Sequence, residues 1–134
     1  MNKPVKFEIA KLLKEKGFDE VCQKWYSVEG GLYYQDEFDN NRGFIPVCEC
    51  EAPTIAEVVM WLYEKHGIWI SLDWMTRIKP YNSGFISHLR GTNKRLNQDN
   101  FIVINDTLKP GYEVFNSPTE AYEAAIEYTL NNLI

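Results

Sequence analysis

The chain lacks any catalytic or cofactor signature. No phosphate-cradling glycine loop is present: Gly30-Gly31 has no following helix and no lysine to reach a phosphate. No apolar run approaches the ~18 residues of a membrane span. The longest candidate, Ile55 to Leu62, is short and broken by Glu57. The first residues, Met1 to Glu8, have no apolar segment of the signal-peptide kind. A cytoplasmic setting is therefore the expectation, with no membrane partner. Positive charge is also scarce. Fourteen Lys and Arg stand against 19 Asp and Glu, a net charge of -5, which disfavours general binding to phosphate backbones. Only three cysteines occur, an odd number that provides no disulfide framework and suits a reducing compartment.

What is present is the punctuation of a folded domain. A length of 134 residues fits one domain, 1–134. Apolar and charged contents of 45% and 25% are globular values. Aromatics are abundant at 14%, which fills a core and leaves some rings for a binding or oligomer surface. Two capping boxes stand out: Thr54-Ile55-Ala56-Glu57 and Ser117-Pro118-Thr119-Glu120. Each sets a hydroxyl at the cap and a carboxylate three residues later, so that orphan backbone donors are satisfied reciprocally.

The spacing of apolar residues predicts a helix over 6–16, stopped at Gly17 after a lysine-rich last turn. A hairpin is expected over 24–35, turning at Glu29-Gly30-Gly31. The acidic stretch 36–41 reads as a solvated loop, and 43–48 as an extended segment that Pro46 keeps at an edge. A helix is predicted over 54–66 with Ile55, Val58, Val59, Leu62 and Tyr63 as its buried stripe, ended by Gly67. The run 68–75 alternates as a strand. Ile68, Ile70, Leu72 and Trp74 share one face; Trp69, Ser71, Asp73 and Met75 share the other. Further strands are expected over 85–89, 101–104 and 112–115, before a closing helix from Ser117 with a stripe of Tyr122, Ile126, Thr129, Leu130 and Leu133. The order predicts an α+β fold: a small antiparallel sheet, a hairpin plus three or four strands, flanked by about three helices.

Several constellations invite chemistry. Cys48-Glu49-Cys50 could present two sulfurs on one strand face, with Cys22, His66 and His88 to complete a ligand set. Only one close ligand pair exists, however, so ordinary reduced cysteines and no metal or other cofactor are expected. A cysteine nucleophile using His66 or His88 and a carboxylate such as Asp73 is the weakest reading. His66, in a last helical turn, is expected to be partly protonated there, and His88 to face solvent. Asp36, Glu37 and Asp39 lack the further ligands of a calcium loop. Arg90, Lys94 and Arg95, with Arg77, Lys79, Tyr81 and His88, form the one basic island, a candidate nucleic-acid surface.

Ala52-Pro53-Thr54 opening a helix, then Trp61-Leu62 and Lys65-His66-Gly67-Ile68 leading into a strand, resemble a known group. So does the ending, Ser117 to Ala121 followed by Ala124-Ala125-Ile126. The group comprises small uncharacterised proteins encoded in prophages and mobile elements of gut Bacteroides-type bacteria. The resemblance spans 6–16, 52–75 and 112–133 and implies a mobile-element origin in a bacterial cytoplasm. It carries no assigned activity and no catalytic residues. The reading is a non-enzymatic accessory protein that binds a protein partner or itself. Trp69 and Met75, on the second face of their strand, are the expected contact residues.

Overall fold

In the computed structural model, the described residues are 1–35, 46–75, 84–91, 102–104 and 114–134. They form three helices and six strands, an α+β fold. All strand pairs are antiparallel, and the strands divide into two three-stranded sheets rather than one. The chain separates into two compact units, Met1–Glu57 and Val58–Ile134. The acidic stretch 36–41, the segment 43–45, the turn 79–83 and the loop 92–100 lie outside the described residues, as do Lys94 and Arg95.

The first unit holds α1 (Phe7–Glu15), β1 (Lys24–Ser27), β2 (Leu32–Tyr34) and β3 (Cys48–Glu51) in the order β2-β1-β3. The helix ends as its lysine-Gly17 signal requires. Gly17 takes a φ of 94°, its N–H donates to Lys14 and the Phe18 N–H donates to Leu13, which satisfies two orphan carbonyls. Helix α1 packs beside β3, burying Ile9, Ala10 and Leu13. The Tyr26 hydroxyl donates to the Val5 carbonyl at 2.6 Å, which offsets the desolvation of a core tyrosine's polar end. Between Tyr26 and Ser27 the register shifts. Tyr26 pairs with Cys50 but Ser27 pairs with Cys48, leaving Glu49 as the extra, bulged residue.

Helix α2 (Ile55–His66) starts as its capping box predicts. The Thr54 hydroxyl accepts from Glu57 N–H at 3.2 Å, and the Glu57 carboxylate accepts from Thr54 N–H at 2.7 Å. The next two N–H groups, of Ile55 and Ala56, donate to the backbone carbonyls of Lys3 and Met1. The N-terminal segment thus completes the cap. The expected stripe is buried at Ile55, Val58, Val59 and Leu62, but Tyr63 is exposed and Trp61 takes the buried place instead.

The second unit holds the rest of α2, then β4 (Ile68–Met75), β5 (Gly84–Gly91), β6 (Ile102–Ile104) and α3 (Pro118–Asn132). The sheet order is β4-β5-β6, and α3 packs on it. Ile68, Ile70, Ser87, Leu89 and Ile104 are buried on one face. Burial fades along β4, so Trp74, expected on that core face, is 59% exposed and rests edge-on against Phe85 at 5.0 Å. Of the strand expected over 112–115, residues 112 and 113 lie outside the described residues; at the described end Phe85 and Phe115 form a bridge, exchanging both backbone bonds. Helix α3 is capped by Ser117, whose hydroxyl accepts from Glu120 N–H; the Glu120 carboxylate reaches past the cap to Asn116 N–H. Its buried side includes Ala121, Ala125, Ile126, Thr129 and Leu130, with Glu123 buried among them.

Candidate functional site

The register of β4 on β5 decides which side chains meet. Directly opposed residues share a face. Trp69 therefore lies across from Arg90, Ser71 from His88 and Asp73 from Ile86, while His88 also faces Val103 of β6. The face opposite the buried one carries this set. It is graded: Ile86 is buried, His88 half-buried, and Trp69, Asp73, Arg90 and Val103 exposed.

An aromatic corner closes one end. Tyr63 of α2 meets Trp69 edge to face, with centroids 5.6 Å apart and planes at 82°. The two rings are 53% and 43% exposed. The single residue Gly67 joins α2 to β4 with a φ of 65°, which holds the helical ring against the strand ring. Tyr63 was expected in the core because its spacing fits the apolar stripe. It is exposed instead, with its ring against Trp69.

The polar centre is a pair. His88 Nδ1 stands 3.1 Å from Asp73 Oδ2; the imidazole is 14% exposed and the carboxylate 58%. His88 was expected to face solvent. It does lie on the outer face, but between two neighbouring strands, so flanking side chains cover most of the ring. Of the residues expected to make contacts, Trp69 and Arg90 lie on this one face. Met75 shares its strand, with its side chain outside the described residues, as are Lys94 and Arg95.

His66 is not the partly charged cap expected at a helix end. Its ring packs edge-on to Trp61 at 4.7 Å, and burial holds its pKa below the ordinary value. Desolvation outweighs the attraction of the helix C-terminus here.

The cysteines sit in the first unit. A cavity of about 280 Å³ opens beside α1 and β3, lined by Ala10, Lys14, Phe18, Cys48 and Cys50 with three carboxylates. Cys50 is buried and Cys48 exposed. The Lys14 ammonium donates to the Glu49 carbonyl at 2.5 Å, between the two cysteines in sequence. Burial, with Glu49 adding, pushes the Cys50 thiol up to about 11. Burial also pushes Cys22 up to about 12, with Glu57, Glu51 and Glu20 adding, and raises Cys48. All three thiols are shifted away from the thiolate that a nucleophile needs. Among the described residues no group of three or more His, Cys, Asp or Glu could hold a metal ion.

Two features escaped the sequence. Asp73 and His88 are 15 positions apart, and only the strand register brings them together. Glu123 looks like any surface helix residue, and nothing local signals its burial. No protein-family model, no curated protein and no solved structure matches the chain.

Proposed function

We propose that the chain is a non-enzymatic accessory protein of a phage or mobile element. It acts in the bacterial cytoplasm by associating with a protein partner or with itself. The carrying observation is the Tyr63–Trp69 corner, two large exposed rings in contact, Trp69 on the outer face of the β4-β5-β6 sheet and Tyr63 on α2. Exposed aromatics that fix each other lose little freedom on binding and supply the apolar anchors of protein interfaces. Arg90 and the Asp73–His88 pair beside them give such a surface its polar rim. The raised thiol pKa values support a non-enzymatic reading over a cysteine-dependent one. The mobile-element origin rests on the sequence resemblance alone.

The test is native mass spectrometry and size-exclusion chromatography over a concentration series, on the wild type and Trp69→Ala. Assembly that Trp69→Ala loses while its circular dichroism is kept supports the reading. Assembly unchanged in a folded Trp69→Ala counts against this face.

One observation favours a second reading. Arg90 directly opposite Trp69 pairs a cation with a stacking ring, the combination that grips single-stranded nucleic acid. This reading has Arg90, Lys94 and Arg95 as its contacts. It predicts low-salt binding of a labelled single strand, lost in the triple change to Glu and steeply salt-dependent.

A further inference from the structure

We propose that a second copy of this chain pairs with the outer edge of β4, antiparallel and about a two-fold axis at Ser71, joining two β4-β5-β6 sheets into one of six strands. The inference rests on the association reading above and names its partner and its route.

Three observations lead there. First, β4 is an open edge. It has eight residues and stands outermost in the order β4-β5-β6. Its register with β5 runs unbroken from Ile68–Gly91 to Met75–Gly84, and among the described residues none of its backbone groups bonds outside that ladder. Every second residue therefore turns its N–H and C=O outward. Second, β4 lacks the devices that keep an edge from pairing. It has no Pro, no Lys and no bulge. Its one charge, Asp73, is turned to His88 of β5 at 3.1 Å. The other edge strands are short: β2 and β6 have three residues each, and β3 has four. Third, β4 is complementary to itself reversed, which pairing about a two-fold axis needs. Directly opposed residues share a face. With Ser71 opposite the partner's Ser71, the core face sets Ile70 against the partner's Leu72 and Ile68 against the partner's Trp74. Trp74, 59% exposed in the single chain, gains an apolar neighbour there. On the outer face Trp69 meets the partner's Asp73, so the strand's single charge does not oppose its own copy. That carboxylate enters the row that holds Trp69 and Arg90, which brings opposite charges together.

The experiment is site-directed cross-linking beside native mass spectrometry over a concentration series. Cysteines are introduced singly, as Ser71→Cys, Leu72→Cys and Val103→Cys, on Cys48→Ser, which removes the exposed native thiol. In the paired dimer, position 71 stands roughly 5 Å and position 72 roughly 8 Å from its own copy. Val103, on β6 in the row of Ser71 and His88, is five strand spacings from its copy, roughly 24 Å. A short bismaleimide should join Ser71→Cys and Leu72→Cys into dimers of twice the chain mass and leave Val103→Cys single. Amide hydrogen exchange of the wild type needs no substitution: every second N–H along β4 should gain protection as concentration rises. Cross-linking of Ser71→Cys without folded Leu72→Cys would mean that the copies meet face to face and would overturn edge pairing. So would cross-linking of Val103→Cys as strong as that of Ser71→Cys. Assembly with neither β4 cross-link and unchanged exchange along β4 overturns this inference and leaves the association reading standing. A folded chain that stays monomeric throughout overturns the second copy and leaves the strand of a different protein as the occupant.

Discussion

The carbonyl oxygen of Gly67 occupies the space in which a Cβ on Gly91 would have to stand. Gly91 is the last residue of β5 and pairs with Ile68, the first of β4. The helix-to-strand junction at Gly67 and the far end of β5 therefore meet backbone to backbone. Gly91→Ala must push one of them aside, and neither is a flexible side chain that can turn away. We expect Gly91→Ala to destabilise the protein by about 1–3 kcal/mol, the usual cost of overpacking a tight site. Urea denaturation of both proteins checks it. A midpoint within error of wild type would show that the two backbones part freely.

The two helix caps should differ in what they lose. Thr54 and Glu57 bond reciprocally, and the same helix start also has Ile55 and Ala56 N–H groups tied to the N-terminal segment. Ser117 accepts from Glu120 N–H, but Glu120 bonds Asn116 instead of the cap residue itself. Either hydroxyl deletion, Thr54→Ala or Ser117→Ala, should cost about 1 kcal/mol. Deleting residues 1–3 should weaken α2 further, because it removes the acceptors for two more N–H groups, and should leave the α3 cap untouched. Thermal melts of the three variants test this order. A truncation that melts with wild type would exclude the N-terminal segment from the cap.

What could be read in advance follows the range of the interaction that decides it. The hydroxyl caps at Thr54 and Ser117 and the Gly17 and Gly67 stops depend on residues within one turn, and they stand in the structure as the sequence implies. The split into two sheets depends on which strand pairs with which, and β1 takes β3 across the 20 residues between Ser27 and Cys48. No local pattern encodes that choice. Tyr63 shows the same limit on a smaller scale. Its spacing on α2 places it with Val59 and Leu62, yet its ring turns out to meet Trp69, whose position is set by β4. The basic island was legible as composition. Of its three contact residues, Arg90 is the one whose place in a sheet, opposite Trp69, is described.

His66 makes stability fall as the solution becomes acid. Burial lowers its folded pKa below the ordinary 6.5, and the unfolded chain restores that value. Between the two values the unfolded state holds the proton and the folded state does not, so acid favours unfolding. The contribution is therefore full above 6.5 and is lost as pH falls through the lower folded value. His66→Phe keeps a ring against Trp61 without a titrating group, so its stability should fall less between pH 7 and pH 5 than that of the wild type. Urea denaturation at the two pH values measures the difference. Equal pH slopes in the two proteins would assign the acid sensitivity to other groups and leave His66 as a ring that only packs.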